Sequence, residues 1–128
     1  MPMPKKSVVF QPTLNRLAFL LVLLYFTPMP KKLSIIVVHH RTPGFLKLCL
    51  DSIKQTCASL DYELIVTDSM SDRKSREIIT ERTPGAKLLY SLANLGFSRG
   101  VNWGISQSTG EYILILNPDT ILTAGAIL

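Results

Sequence analysis

Cysteine is scarce in this 128-residue chain, with Cys49 and Cys57 the only two. On a single helix, their separation of eight positions at a rise of ~1.5 Å per residue puts them about 12 Å apart. Disulfide bridging needs Cα atoms within roughly 7 Å. No Cys/His spacing of the metal-binding kind surrounds them, so they read as buried free thiols of a reducing compartment. Acidic residues are missing altogether from residues 1–32, which carry Lys5, Lys6, Arg16, Lys31 and Lys32. Those five account for the whole net charge of +5, because 14 basic residues less five leave nine, against nine acidic ones. The remaining body is therefore neutral, and the basic face of a nucleic-acid-binding protein is excluded.

Long apolar runs are missing as well. The longest, Leu17–Phe26, has ten residues, whereas a membrane-spanning helix needs about 20. It has the length of a signal-peptide core, but Thr27-Pro28-Met29-Pro30 is a poor cleavage site. Pro2-Met3-Pro4-Lys5-Lys6 also recurs as Pro28-Met29-Pro30-Lys31-Lys32. Residues 1–32 thus form a leader with three open readings: an over-extended start ahead of Met29, a peripheral membrane anchor, or a secretion signal. Residues 33–128 form the domain. Catalytic signatures are missing too. There is no GxxxxGK[ST] phosphate loop, no GxGxxG fingerprint, and no Ser/His/Asp or Cys/His nucleophile arrangement, which counts against P-loop kinases and nicotinamide-dependent dehydrogenases.

What is present is a strand–helix alternation in a chain that is 47% apolar and 18% charged, the balance of one globular domain. Leu33–Val38 is a β-branched run suited to a buried parallel strand. Thr42-Pro43 supplies an N-cap followed by proline at the first helical position. Phe45, Leu46, Cys49, Leu50 and Ile53 fall on one face of the helix that follows. Tyr62–Thr67 makes a second strand, and Ser71 or Asp72 caps a second helix through about Glu81. Lys87–Tyr90 makes a third strand. A helix from the Asn94 region to about Thr109-Gly110 and a strand at Tyr112–Leu116 complete the pattern. This spacing predicts an α/β fold of βαβ units around a mostly parallel sheet flanked by helices.

Ligands of such sheets bind beyond the carboxyl ends of the strands, which directs attention to His39–Thr42, Asp68–Asp72 and Asn117–Thr120. Asp68 can accept hydrogen bonds from a ribose hydroxyl or a base imino group, or it can serve as a helix N-cap. Asp119, with the Asn117 amide as a weaker partner, suits a hard divalent cation that takes one or two carboxylates plus substrate phosphate. The same Asn-Pro-Asp is also an ordinary turn. Glycines 96, 100 and 104, set among Asn94 and Asn102, allow backbone to approach a ligand closely. Of His39 and His40, alternation along the strand turns one toward a pocket and packs the other.

Three blocks in order, Asn94-Leu95-Gly96-Phe97-Ser98-Arg99-Gly100-Val101-Asn102-Trp103-Gly104-Ile105, then Thr109-Gly110-Glu111-Tyr112, then Leu116-Asn117-Pro118-Asp119-Thr120, resemble the family 2 glycosyltransferases. The closest flavour is the rhamnosyltransferase-like branch. The resemblance covers residues 33–128 and implies the donor-binding half of a Rossmann-like GT-A domain, truncated. It implies a nucleotide-diphosphate sugar as donor and a glycan or lipid-linked acceptor, for cell-surface polysaccharide synthesis. The setting implied is the cytoplasm or the inner face of the cell membrane, with no nucleic acid involved. Asp68 would contact the nucleoside, His39 and Arg41 would border the base, and Asn94, Gly96 and Asn102 would line the donor site. Asp119 matches the second acid of the DxD motif that holds Mg²⁺ or Mn²⁺, with Asn117 in the first place. The family commonly has Asn-Tyr-Asn where this chain has His39-His40-Arg41, and Asp68 and Asp72 stand one residue closer than usual. The family's general base follows the metal motif, so it is expected beyond Leu128 and no catalytic residue is assigned. The alternative function is a non-catalytic nucleotide-sugar-binding remnant of a truncated gene.

Overall fold

The computed structural model describes residues 33–127, so the leader and its three readings lie outside the described residues. Four strands, β1 (Leu33–His39), β2 (Tyr62–Ser69), β3 (Lys87–Ser91) and β4 (Tyr112–Leu116), alternate with three helices, α1 (Pro43–Thr56), α2 (Arg73–Arg82) and α3 (Gly96–Ser106). The sheet order is β3-β2-β1-β4, and every pairing is parallel. The expected α/β architecture is therefore present. Among the described residues, no helix is long and apolar enough to cross a membrane.

The two central strands are apolar on both faces because both faces are covered. Ile35 and Val37 of β1 and Leu64 and Val66 of β2 face α1, where Leu46, Cys49, Leu50 and Ile53 complete the main core with Ile79 of α2. Helix α3 packs on β1 and β2 from the opposite side, over Ile36, Val38 and Thr67. A methyl built at Gly104 would stand 2.6 Å from Ile36 Cγ2, and one at Gly100 would stand 2.8 Å from Val38 Cγ1. These two glycines therefore serve helix–sheet packing, whereas the sequence suggested ligand approach. Gly96 differs, with φ of +71° and open space around its Cα; it supplies a left-handed turn at the entry of α3.

Other local expectations shift by a residue or two. Strand β2 runs to Ser69, so Asp68 lies inside the strand rather than after it. Asp72 is the residue that caps α2, accepting from Ser75 N at 2.9 Å. Thr42 stands at the cap of α1 without a side-chain cap bond, and its hydroxyl is buried without a partner. Phe45 is 57% exposed and does not join the apolar face of α1. Buried Ser52 lies on that face instead. Helix α3 ends at Ser106, short of Thr109-Gly110. Both cysteines are buried and free.

Candidate functional site

The connection β3–α3–β4 carries the chain back across β2 and β1, so the direction of winding reverses between β1 and β4. Crevices form beyond the carboxyl ends at such a reversal. The loop after β1 lies on one side of it and Asn117–Thr120 on the other.

Asp68 and His39 form the buried centre of this end. They pair across β2 and β1, and His39 Nδ1 lies 2.9 Å from Asp68 Oδ1, with both side chains 0% exposed. The Thr42 backbone N–H donates to His39 Nε2 at 3.0 Å. An acceptor at Nε2 puts the ring proton of a neutral imidazole on Nδ1, from which it is donated to Asp68. Ser71 Oγ donates to the other carboxylate oxygen, Oδ2. The strand end is therefore wired from β1 through β2 to the start of the next loop. Both ring nitrogens of His39 are engaged, which leaves no ring atom for a ligand. The exposed imidazole is that of His40, held by Nδ1 at 2.8 Å from the Ser69 carbonyl.

Further bonds tie the neighbouring loops to this centre. Arg41 Nε donates to the Met70 carbonyl at 3.3 Å. Arg41 and Met70 are the two non-glycine residues with positive φ, at 53° and 55°, among the described residues. Such conformations cost ~1–3 kcal/mol each and concentrate at functional sites. Together with Pro43, Ser71, Asp72 and Ser75, they line a cleft of 440 Å³ between the starts of α1 and α2. Ser69 Oγ accepts from Leu95 N at 3.3 Å, and Asn94 Oδ1 accepts from Gly96 N at 3.0 Å. The Asn94–Gly96 turn is thus drawn to the same end of the sheet as Asp68. Asn102 is exposed six residues further along α3, about 9 Å from Gly96 along the helix axis. The Ser75 backbone amide, the largest influence, holds the exposed Asp72 carboxyl below its ordinary value.

Beyond β4, Asn117 and Asp119 are both exposed, and Thr120 N donates to Asn117 O at 3.1 Å to close the turn. Cys49 of α1 lies beneath it, with Sγ 3.8 Å from Asn117 O. Burial, and then the negative charge of Asp119, push the Cys49 thiol up to about 11. Among the described residues, no group of three or more His, Cys, Asp or Glu side chains is arranged to hold a metal. One carboxylate and one amide do fit a hard cation that arrives with a diphosphate and draws most of its oxygens from phosphate and water.

The Asp68–Ser71 bond, the Ser69–Leu95 tie and the burial of Ser52 were not read from the sequence. For Ser52 a signal existed, since it lies at i+3 from Cys49 on the apolar face of α1.

A profile for glycosyl transferase family 2 matches residues 34–128, and the chain belongs to that family. Its sheet and helices have the GT-A arrangement of solved glycosyltransferases. The chain is similar to residues 1–349 of Staphylococcus aureus TarS, with TM-score 0.64, 21% identity, and coverage of 70% of this chain and 28% of that one. It is similar to the mannosyltransferase PcManGT from Pyrobaculum calidifontis, solved with GDP-Man and Mn²⁺, with TM-score 0.66, 20% identity, and coverage of 75% and 30%. It is also similar to glucosyl-3-phosphoglycerate synthase from Mycobacterium tuberculosis, solved with Mn²⁺, UDP and phosphoglyceric acid, with TM-score 0.60, 18% identity, and coverage of 71% and 34%. The chain thus spans between 28% and 34% of these three structures. No curated protein matches it.

Proposed function

We propose that this chain provides the donor-binding part of a glycosyltransferase that moves a sugar from a nucleotide-diphosphate sugar to an acceptor hydroxyl. The acceptor class is a glycan or a lipid-linked acceptor, in cell-surface polysaccharide synthesis. The work takes place in the cytoplasm or at the inner face of the cell membrane. Family membership supports the chemistry. One observation supports the siting: β2, β1 and β4 are parallel neighbours, so their polar carboxyl ends lie along one edge of the sheet, with the reversal of winding between β1 and β4.

The nucleoside lies over β1 and β2. His40 and Arg41 border the base, and His39 acts from behind by holding Asp68. A carboxylate has about four lone-pair positions, and a base imino group reaches Asp68 by replacing the Ser71 hydroxyl. Asn94, Gly96 and Asn102 line the donor on the α3 side. Asp119, with Asn117, holds Mg²⁺ or Mn²⁺. When bound, that cation neutralises charge on the departing nucleotide diphosphate. Asp119 itself carries no proton in the reaction; its task is to hold the cation beside the diphosphate.

Amide-shift mapping of the chain titrated with UDP, GDP and dTDP in turn tests the siting. The expected perturbations fall at residues 39–42, 68–72, 94–102 and 117–120. Perturbations confined to the opposite, amino-terminal ends of the strands would contradict it.

A further inference from the structure

Helix α1 has a feature that the donor site does not absorb. Cys49, Ser52 and Thr56 recur at helical spacing, i, i+3 and i+7, and so share one face. All three engage the segment after β4. Cys49 Sγ donates to Asn117 O at 3.8 Å. Ser52 Oγ accepts from Leu122 N at 3.0 Å and donates to Cys49 O at 2.7 Å. Thr56 Oγ1 donates to Leu122 O at 3.4 Å. The sheet cannot place this segment, because the β1–β4 ladder stops at the Val37–Leu116 pair. From Asn117 to Leu122 the backbone is tied to α1 at both ends and closed on itself by the Thr120–Asn117 bond. Leu122 packs against the main core just beyond.

We propose that Ser52 is a positioning residue for the cation site, and that the Cys49–Ser52–Thr56 face of α1 is the platform that fixes where the Asn117 and Asp119 oxygens stand. The proposal rests on the reading that Asp119 holds the cation. Ser52 touches neither cation nor donor. Its hydroxyl is both donor and acceptor, so it couples the backbone of α1 to the backbone of the turn, and no apolar side chain of similar size can do this. A divalent cation bound by one carboxylate is sensitive to where that carboxylate stands, and losing an outer partner costs about 10–100-fold in metal affinity.

The test titrates Mn²⁺ by calorimetry into the full chain saturated with a nucleoside diphosphate, and separately titrates the nucleoside diphosphate in EDTA. Ser52→Ala is expected to weaken Mn²⁺ binding about tenfold or more and to leave nucleotide binding in EDTA unchanged. Ile79→Val, a core control on α2 whose side chain makes no hydrogen bond to the turn, is expected to lower the melting temperature and leave Mn²⁺ affinity unchanged. Unchanged Mn²⁺ affinity in Ser52→Ala, or equal weakening in Ile79→Val, would overturn the proposal while the metal reading stands. A wild-type chain with no Mn²⁺ effect on nucleotide binding would remove the metal reading, and the positioning role with it. Hydrogen exchange on the wild-type chain without metal provides a second measurement that needs no variant to fold. Slow exchange of the Leu122 amide is expected, and fast exchange there would overturn the platform.

Discussion

His39 Nδ1 and Asp68 Oδ1 meet at 2.9 Å with neither side chain reaching solvent, and the Thr42 N–H on Nε2 fixes which nitrogen carries the proton. A buried carboxylate deprived of a partner retains its desolvation cost, about 1–3 kcal/mol and more when charged. His39→Phe is therefore expected to lower unfolding free energy by about 2 kcal/mol, read from chemical denaturation. Ser71→Ala, which removes the partner on the loop, is expected to destabilise in the same direction.

Gly104 and Gly100 of α3 lie against Ile36 and Val38 with no room for a methyl. Overpacking of this kind costs ~1–3 kcal/mol and outweighs the helix propensity gained, at most about 1 kcal/mol. Gly104→Ala and Gly100→Ala are expected to lower the melting temperature. Gly96→Ala meets no atoms but forces a side chain into the left-handed region, at ~1–2 kcal/mol. Calorimetric melting of the three variants checks this, and a stabilised Gly104→Ala would show that α3 does not sit as described.

The Cys49 thiol, raised from an ordinary 9.0 to about 11, sets a pH dependence. A raised folded-state value means that the folded chain holds the proton more tightly than the unfolded chain. Its contribution is complete below pH 9 and is lost as pH rises from 9 to about 11. Cys57 and Tyr62 are raised by burial too and act in the same direction. Cys49→Ala is expected to be less stable than wild type at neutral pH through its cavity. Its deficit should narrow as pH climbs through that window, as thermal melts across pH would show.

Much of the fold was legible because a parallel sheet writes a simple code. The β-branched run Leu33–Val38 and the apolar run Tyr112–Leu116 are strands in the structure at nearly those bounds. Asp72 as helix cap was one of two choices, and the cap bond to Ser75 decides it. What stayed hidden depends on tertiary partners. His39 and His40 are adjacent and chemically identical, and only the register that sets His39 opposite Asp68 determines which is buried. The glycine-rich block indicated close backbone approach correctly, but not that Gly100 and Gly104 approach the sheet. Ser52 reads as an ordinary helix residue until Leu122 N is brought to 3.0 Å from its hydroxyl, 70 positions away in sequence.

Strand β4 pairs with β1 on one side and has no neighbour on the other among the described residues. Its Ile113 and Ile115 are 42% and 40% exposed. Exposed apolar side chains on an outer strand favour association. The isolated chain is expected to self-associate, and Ile115→Lys to shift sedimentation profiles toward monomer. A monomeric wild-type chain with a sharp thermal transition would contradict this.

Binding of nucleoside diphosphate with and without Mn²⁺, followed by calorimetry in wild type, Asp119→Asn and Asp68→Ala, separates the two ends of the donor site. Asp119→Asn exchanges an anionic oxygen for a neutral amide beside a divalent cation, and it is expected to abolish most of the Mn²⁺-dependent gain in affinity. Asp68→Ala is expected to weaken binding equally with and without Mn²⁺, because its proposed ligand is the nucleoside and not the cation. Asp119→Asn binding nucleotide with an unchanged Mn²⁺ requirement would contradict the cation site at the end of β4, and Asn117-Pro118-Asp119 would then be a structural turn.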